Sequence, residues 1–511
     1  MPHRRDFIKK AGISSFLLVN GISTFANSKL ELLSSEKDKQ KNADLLNNST
    51  NNVLHDKPIR LTDGSFISMR PQPGKRKFTS NAVEETIVKI KSVMADKELA
   101  WMFENCFPNT LDTTVTYAEI NGDPFTYVIT GDIDAMWLRD SSAQVWPYLS
   151  LANDDEKLKK LLKGVIAKQS EFVLLEPYAN AFYNDPKRIS EWKDDYTTMK
   201  PGVHECKWEI DSLCYVIRLA HGYWKKTGDT SIFNKSWQEA MKLIIKTFRD
   251  QQRIHNKGPY HFQRSAASPT DTQFGSGYGN PTKKIGLIHS MFRPSDDSTI
   301  FPFLISSNMF AVVSLQQLAA IFETVLHDSD TANECKQFSA ELDLAIKQHA
   351  ILRHPTAGNI YPLEIDGFGN ALFMDDANVP NLLSIPYIGY CKSDDSLYLN
   401  TRKFSLSESN PWFNVGKFAK GIGGPHVGEK KIWPLGLVMQ ALTSNDDKEI
   451  IYCLTMLKKT HADTGFIHES FNVDNPKDFS RSWFAWANTI FGELILHLYN
   501  EKPELLKINL V

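Results

Sequence analysis

The chain has few cysteines, almost no net charge and few long apolar runs, and each shortage argues against a class of protein. Six cysteines occur in 511 residues without a CxxC pair, so a structural zinc site is unsupported and buried thiols are expected. A formal net charge of −2 and the lack of a long basic run argue against nucleic acid as a partner. Beyond the N-terminal segment, no stretch approaches the ~18 apolar residues of a membrane-spanning helix.

The N-terminal segment has the pattern of an export signal. Arg4 and Arg5 precede an apolar stretch that runs to Phe25, and small residues follow around Ala26. The run RRDFIKK is similar to a twin-arginine signal, so we predict export, a periplasmic location in a bacterium and no membrane association of the mature form. A retained anchor is the alternative, but the apolar stretch is short and interrupted by Ser, Asn and Gly.

Composition divides the chain into three parts. The residues after the signal are rich in Asn, Ser and Lys, which is typical of a disordered tether. Beyond this tether, apolar residues recur with helical periodicity to the C-terminus. The predicted parts are residues 1–26 (export signal), 27–74 (linker and N-terminal extension) and 75–511 (one folded, catalytic domain).

Helical periodicity predicts about twelve helices in the folded part. In one of them Ile210, Leu213, Ile217 and Trp224 share a face. The predicted helices are 83–105, 141–151, 158–174, 210–224, 233–248, 304–325, 333–350, 382–388, 396–403, 432–442, 448–461 and 482–499. Strand-like alternation is confined to short pieces, of which the clearest are 114–129 and 370–374.

The arrangement of these segments predicts an all-α fold. There is no βαβ rhythm, and antiparallel helix pairs would be joined by loops that carry charged and aromatic residues. We therefore predict a closed double ring of helices, with short β pieces in the loops and the functional site at one end. A superhelical array of helix pairs is the alternative, but the sequence shows no fixed-period repeat.

Five segments that precede predicted helices are dense in both polar and aromatic residues. Sugar rings present apolar C–H faces and hydroxyl groups, so aromatic platforms beside charged donors and acceptors indicate a carbohydrate site. The segments are Gly131–Leu149, Val203–Tyr215, Met291–Phe301, Gly423–Leu437 and Phe466–Asn488. The side chains predicted to contact sugar are Asp134, Trp137, Arg139, Asp140, Trp208, Glu209, Asp211, Arg293, Asp297, His426, Trp433, Arg481 and Trp483.

The adjacent carboxylates Asp296 and Asp297 allow two interpretations. They could cap the helix that follows them, or they could perform acid–base chemistry. Hydrolysis of a glycosidic bond needs one protonated and one ionised carboxyl group, and a carboxyl group beside another carboxylate tends to stay protonated. The doublet therefore has a chemical use in a carbohydrate site.

Other interpretations of these residues stay open. The tryptophans could be core residues, because large aromatic side chains in helical proteins usually are. Asp132, Asp134 and Asp140 could bind calcium, but they lack the regular spacing of a calcium loop. We predict no metal and no cofactor.

Five motifs, in order along the chain, resemble glycoside hydrolase family 125, exo-α-1,6-mannosidases of bacteria and fungi with an (α/α)6 barrel. They are TGDIDAMWLRDSSAQVWPYL, HECKWEIDSLCYVIRLA, MFRPSDDSTIFPFLISSNMFAV, IWPLGLVMQAL and HESFNVDNPKDFSRSWFAWANTIFGELI. The resemblance extends from about Lys75 to the C-terminus. It implies inverting, metal-independent release of mannose from the non-reducing end of α-1,6-linked mannosides, with a mannose-containing oligosaccharide or N-glycan fragment as partner.

The resemblance also implies two catalytic residues. Asp296 corresponds to the general acid, although Asp297 stays open for that role, and Glu469 corresponds to the general base. Inversion would place the two carboxyl groups ~6.5–9.5 Å apart, with one water between the base and the anomeric carbon. Two other classes remain as alternatives: an epimerase or polysaccharide lyase on a helical barrel, and a non-catalytic glycan-binding protein.

Overall fold

The computed structural model describes residue 60, residues 65–266 and residues 268–511. The predicted export signal and most of the predicted linker lie outside these residues. The chain divides into two units, Met1–Ile67 and Ser68–Val511. In the first unit, the described residues Arg60 and Phe66 form an antiparallel bridge.

The second unit is an (α/α)6 barrel, which confirms the predicted fold class. Its described part contains thirteen α-helices, and most of them coincide with predicted segments. The helices are α1 (Asn81–Val93), α2 (Lys97–Cys106), α3 (Asn109–Thr113), α4 (Leu138–Val145), α5 (Glu156–Leu175), α6 (Ile210–Thr227), α7 (Lys235–Gln251), α8 (Ile305–Thr324), α9 (Ser329–His349), α10 (Ser396–Ser405), α11 (Pro434–Leu442), α12 (Asp447–Thr460) and α13 (Ala485–Glu501).

An inner ring of helices forms the core of the barrel. Helices α4, α6 and α8 pack side by side, and α11 packs on α13, which returns to α4. The inner helices are buried on nearly all sides because an outer layer covers them. That layer consists of α5, α7, α9, α10, α12 and the α1–α2 pair.

The prediction of a helix over 382–388 is wrong. A series of hydrogen-bonded turns occupies this stretch, which lies between α9 and α10 in the chain. Residues 381–390 form bends and turns without a continuous helix. Pro380 directly precedes the segment and Pro386 lies within it, and proline has no N–H for the helical hydrogen-bond ladder. The segment is tied to the inner ring because Ser306 Oγ donates to the carbonyl oxygen of Pro380 at 3.0 Å.

Two other predicted helices have different boundaries in the structure. The predicted helix 83–105 is two helices, because Asp96 starts a new one and its side chain caps the first turn. The predicted helix 141–151 begins earlier, at Leu138, and changes to a 3₁₀ turn at Trp146–Leu151. Pro147 accounts for that change, since it cannot donate into an α-helical ladder.

Helix α8 is rich in apolar residues and has no single polar face. Among the described residues it alone is long and apolar enough to cross a membrane by length and composition, contrary to the expectation that no such stretch exists. Most of its length is buried inside the barrel, including every residue from Ile305 to Leu315. A helix buried on all sides has no solvated face, so its apolarity is that of a core helix.

Short strands lie at the N-terminal ends of the inner helices. Three small antiparallel sheets occur there, with strand orders β3–β4–β5, β10–β9–β6 and β13–β14–β15. In the first of them Trp137 pairs with Ala181. The strands are β1 (Val115–Ile120), β2 (Asp123–Val128), β3 (Met136–Trp137), β4 (Ala181–Phe182), β5 (Val203–Glu205), β6 (Phe303–Leu304), β7 (Leu352–His354), β8 (Gly358–Ile360), β9 (Glu364–Ile365), β10 (Ala371–Leu372), β11 (Phe413–Val415), β12 (Lys420–Ile422), β13 (Lys431–Ile432), β14 (Ser470–Asn472) and β15 (Asn475–Ser480).

The predicted strand segments are confirmed, and the longer one, 114–129, is the hairpin β1–β2. Asn121 and Gly122 form its turn with φ of 54° and 91°. Asn-Gly is the residue pair that such a left-handed two-residue turn favours, because glycine has no Cβ and asparagine tolerates positive φ.

Close packing of the inner ring predicts that Gly492→Ala destabilises the barrel. A Cβ at this position of α13 would lie 2.9 Å from the Cα of Phe107 and 2.7 Å from its ring. We expect overpacking to cost about 1–3 kcal/mol, more than the roughly 1 kcal/mol gained in helix propensity. In a unit of this size, a thermal unfolding midpoint lowered by about one to two degrees would be the result.

The matched control is Gly436→Ala in the inner helix α11. Its nearest neighbour would be the Cβ of Ala377 at 3.4 Å, an ordinary contact distance. This variant should unfold at or above the temperature of the unsubstituted protein. Equal destabilisation of the two variants would show that close approach to Phe107 is not the cause.

Candidate active site

The N-terminal ends of the inner helices surround a cavity of about 300 Å³. The residue that precedes each of α4, α8 and α13 does not cap the helix with its own side chain; instead, neighbouring loops accept the first N–H groups. Leu138 N donates to Asn180 O at 3.0 Å, Ile305 N to Leu363 O at 2.9 Å, and Ala485 N to Thr130 O at 2.9 Å. The loops are therefore held against the barrel end, where their side chains line the cavity.

Asp296 lies at this cavity in a tight turn. Its φ of 67° is in the left-handed region, which aspartate tolerates better than most residues. Its side chain is 29% exposed, and Arg139 Nη2 and Asn180 Nδ2 both donate to Oδ1 at 3.5 Å. Within the described part of the chain, Oδ2 accepts no hydrogen bond, so this oxygen is available to a ligand.

Glu469 lines the same cavity and directly precedes β14. Ser480 Oγ donates to Oε2 at 2.8 Å, and Arg481 Nη1 donates to Oε1 at 3.3 Å. Arg481 is in turn held by Asp132, whose Oδ1 accepts from Nε at 2.9 Å. These contacts orient the carboxylate from both oxygens.

A buried charge cluster positions Arg139 beneath Asp296. Arg139 Nη1 donates to Glu209 Oε2 at 2.6 Å and to Asp211 Oδ2 at 3.1 Å. Burial raises the pKa of Glu209 well above its usual range, although the charge of Arg139 opposes this. Glu209 and Asp211 do not line the cavity, so the structure places them behind Arg139 instead of in the predicted sugar contact.

Asp140 is a second carboxyl group on the cavity wall. Burial raises its pKa to about 6, while attraction to Arg139, 3.7 Å away, acts in the opposite direction. Arg481 also attracts it. Asp140 is therefore positioned between the cation that contacts Asp296 and the cation that contacts Glu469.

His426 and Asp297 form a pair at the cavity rim. His426 Nδ1 lies 3.7 Å from Asp297 Oδ1, and Asp297 is buried. Burial alone would lower the pKa of His426. The carboxylate of Asp297 and, to a smaller extent, those of Asp296 and Glu469 raise this pKa to about 9. Over a third of the histidine side chain is exposed, so solvent screens part of this attraction.

The His426–Asp297 pair predicts a pH-dependent contribution to stability. Because the folded pKa of about 9 lies above the ordinary value of 6.5, the contribution is complete below about pH 6.5 and is lost as pH rises through 9. NMR of ¹³C-labelled imidazoles measures this pKa, and His426→Gln assigns the signal. In Asp297→Asn the pKa should fall; an unchanged pKa would contradict the pairing.

Glu205 and Lys207 also line the cavity, although they were not among the predicted site residues. Lys207 Nζ donates to the backbone oxygen of Asp296 at 3.1 Å and pairs with Asp271 at 2.6 Å. Burial alone would lower the pKa of Lys207, but the carboxylates of Glu205, Asp296 and Asp271 raise it. The sequence signal was their position in the dense segment 203–215.

The aromatic side chains divide into cavity walls and core. Of the four predicted tryptophans, Trp137 and Trp433 line the cavity. Trp208 is fully buried, with Nε1 donating to His289 O at 2.6 Å, and Trp483 donates to Thr113 Oγ1 at 3.1 Å. The structure thus does not bring these last two into the cavity.

Three further aromatic residues line the cavity without having been predicted. They are Trp192, Phe484 and Trp486. Arg264 stacks on Trp192, 3.9 Å from its ring centroid, and donates to Glu205 Oε1 at 2.8 Å. Trp192 lies outside the five dense segments, and its contacts with Arg264 and Ser190 hold it at the site.

The remaining predicted residues lie around the cavity. Arg293 is buried and donates to Glu364 Oε1 at 2.6 Å, which holds the loop before α8. Asp134 is exposed and pairs with Arg188 at 2.8 Å. Neither lines the cavity, whereas the predicted residues Trp137, Arg139, Asp140, Asp296, His426, Trp433, Glu469 and Arg481 all do.

The carboxylates considered for calcium are paired with separate cations. Asp132 pairs with Arg481, Asp134 with Arg188, and Asp140 lies beside Arg139. Across residues 65–266 and 268–511, no group of three or more His, Cys, Asp or Glu side chains could hold a metal ion.

The family comparison matches most of the chain. A family model described as metal-independent alpha-mannosidase (GH125) matches residues 96–496. This span contains all five segments that were predicted to form the site.

Two known proteins are similar over most of their length. The Meiotically up-regulated gene 157 protein of Schizosaccharomyces pombe is 43% identical over 470 residues, which cover 88% of this chain and 91% of that protein. A metal-independent α-mannosidase of Streptococcus pneumoniae, solved in a non-productive complex with α-1,6-mannobiose, is 39% identical with a TM-score of 0.80. The match covers 83% of this chain and 100% of that chain.

Proposed function

Because the chain belongs to glycoside hydrolase family 125, it is an α-mannosidase, and we propose that it removes terminal mannose from α-1,6-linked mannosides with inversion at the anomeric carbon. The observation that carries the proposal is that Asp296 and Glu469 line one cavity. An inverting hydrolase needs two carboxyl groups on opposite sides of the sugar, separated by room for one water.

Asp296 is proposed as the general acid. Arg139 and Asn180 hold its Oδ1, while Oδ2 accepts no hydrogen bond from the described residues. A proton on Oδ2 could therefore pass to the glycosidic oxygen as the bond to the anomeric carbon breaks. The mannose would lie against the aromatic walls Trp137 and Trp433.

Glu469 is proposed as the general base. Ser480 and Arg481 both donate to its carboxylate and hold it at the cavity, where it would accept a proton from the attacking water. The attacking oxygen would enter from the face opposite to Asp296. The product would be β-mannose.

The cavity volume supports action at a chain end. About 300 Å³ lies at the lower limit of the roughly 300–1,000 Å³ of ligand pockets. A terminal sugar fits such a site more readily than the interior of a chain does. A mannose-containing oligosaccharide or N-glycan fragment is the substrate class that we propose.

Hydrolysis of α-1,6-, α-1,3- and α-1,2-linked mannobiose, followed by NMR, tests linkage and stereochemistry together. We expect cleavage of the 1,6 isomer, with β-mannose appearing before mutarotation. Initial release of α-mannose would refute inversion. Preferred cleavage of another isomer would refute the linkage.

Residues 1–26 are proposed as a cleaved export signal, which would give a periplasmic protein without a membrane anchor. The twin arginines Arg4 and Arg5 support this proposal. Replacing both by lysine should retain the protein in the cytoplasm of a bacterial host, as followed by cell fractionation. Unchanged fractionation of that variant would refute a twin-arginine route.

A further inference from the structure

A second cavity lies in the loop between α7 and α8, and we call it the basic cavity. Its volume is about 490 Å³, and none of its lining residues lines the catalytic cavity. The residues that define it here are Arg253, Lys257, Lys284, Phe274 and Tyr278. Among the described residues that line it, none is an aspartate or a glutamate.

Arg253 is a partly buried cation that contacts only neutral acceptors. Its Nε donates to Gln251 Oε1 at 3.1 Å, Nη1 to Tyr278 O at 2.8 Å and Nη2 to Met291 Sδ at 3.2 Å. It takes part in none of the ion pairs found in the described part of the chain. Burial lowers the pKa of Arg253 to about 10, and no carboxylate opposes this. Such a charge is costly to hold away from water without an opposite charge.

The two lysines of the basic cavity also lack a carboxylate partner. Lys284 Nζ donates to the backbone oxygen of Ile254, and Lys257 Nζ lies 4.8 Å from the ring centroid of Tyr278. Neither forms an ion pair with a carboxylate in residues 65–266 or 268–511. By contrast, Lys242 and Lys246 of the adjacent helix α7 pair with Asp328 and Asp250, respectively.

His289 lines the basic cavity without adding charge. Its Nδ1 hydrogen-bonds to the carbonyl oxygen of Gln251 at 2.8 Å, so Nδ1 carries the hydrogen and Nε2 accepts from Thr282 Oγ1 at 2.7 Å. Burial and the charge of Arg253 lower its pKa to about 3. Three unpaired positive charges therefore remain.

The same cavity offers an apolar surface beside its cations. Phe274 is 71% exposed, although it is a large apolar side chain. An exposed aromatic face beside cationic donors suits a ligand that has both C–H surface and negative charge.

We propose that the basic cavity binds a phosphomonoester carried on a sugar. The phosphate would contact Arg253, Lys257 and Lys284, and the sugar would lie against Phe274. A phosphomonoester carries about −1.5 to −2 charge at neutral pH, which balances three cations better than a single carboxylate would. Each terminal nitrogen of Arg253 makes one hydrogen bond, to Tyr278 or to Met291, and has a second N–H that can donate to a phosphate oxygen. This site is separate from the proposed hydrolysis and does not depend on it.

Calorimetric titration of the full chain with mannose 6-phosphate, mannose and inorganic phosphate tests the site. The test variant is Lys257→Gln/Lys284→Gln, because replacing the partly buried Arg253 could impair folding. The matched control is Lys242→Gln/Lys246→Gln, which removes the same charge from α7. Affinity for mannose 6-phosphate should fall about tenfold or more in the test variant only, since charge-assisted contacts are the strong ones.

The other ligands separate the two parts of the proposal. Inorganic phosphate should bind more weakly than mannose 6-phosphate, and Phe274→Ala should weaken only the sugar phosphate. Equal affinity of both double variants for mannose 6-phosphate, or no binding at all, would overturn the proposal. Equal binding of the two phosphates would overturn the sugar contact. Hydrolysis of uncharged α-1,6-mannobiose by the test variant should be unchanged, so these outcomes do not depend on the proposed reaction.

Discussion

Replacing Glu469 by glutamine is expected to lower kcat on α-1,6-mannobiose by about 10²–10⁴-fold, the contribution of a general base. The amide keeps the size of the side chain and can still meet Ser480, but it cannot accept a proton from water. Since Glu469 also faces Arg481, the substitution leaves that cation paired only with Asp132. Initial rates and KM, measured with the same mannobiose, separate loss of catalysis from loss of binding.

Glu176→Gln is a suitable control for this substitution. Glu176 and Glu469 are both 7% exposed, and each pairs with a cation, Lys200 and Arg481, respectively. Glu176 does not line the catalytic cavity, so its replacement should leave kcat essentially unchanged. Addition of azide to Glu469→Ala should restore turnover as β-mannosyl azide. Comparable rates for both glutamine variants would rule out Glu469 as the base.

Asp296→Asn is expected to lower kcat by a similar factor, about 10²–10⁴-fold, but only for substrates whose leaving group needs a proton. The second mannose of the disaccharide is a poor leaving group unless its oxygen is protonated, whereas fluoride departs without protonation. The loss on α-1,6-mannobiose should therefore be much larger than the loss on α-mannosyl fluoride. Parallel measurements of kcat on both substrates test this.

Asp297→Asn decides which member of the doublet is the acid. Asp297 is 2% exposed and faces His426, so it has less access to a substrate than the partly exposed Asp296. Its replacement should change kcat on α-1,6-mannobiose and kcat on α-mannosyl fluoride by the same factor. If instead Asp297→Asn spares the fluoride and Asp296→Asn does not, the roles are reversed.

Helical periodicity was a good guide to the barrel because it reports burial. The predicted helices 158–174 and 304–325 agree with α5 and α8 to within two residues at each end. The prediction 382–388 failed because apolar spacing alone does not reveal that a hydrogen-bond ladder is interrupted. Pro380, just before this stretch, and Pro386, inside it, were visible in the sequence and carried that information.

The candidate site was only partly predictable from the sequence. The segments that precede the inner helices were recognisable by their polar and aromatic composition. Of the fifteen side chains predicted for the site, eight line the cavity. The structure assigned Glu209 and Asp211 to the support of Arg139, a contact between two different segments. Trp192 could not have been found from its own segment, because its ring is held against Arg264, which is distant in the sequence.

Local signals in the sequence determined the outer layer of the barrel. Outer helices begin at residues whose own side chains accept a hydrogen bond from the first turn, such as Ser80, Asp155 and Asn234. This capping works within a few residues and needs no partner from elsewhere in the chain. Amphipathic periodicity then determined which face of each outer helix is buried.

Only the tertiary structure decided where the inner helices begin and what surrounds the cavity. Their first N–H groups are satisfied by loops that lie far away in sequence, as Ala485 is by Thr130. Hydrogen bonds and ion pairs of this kind depend on closure of the ring, because no local pattern brings their partners together. The same closure places Asp296 and Glu469 at one cavity, and for that reason their chemistry becomes available only in the folded barrel.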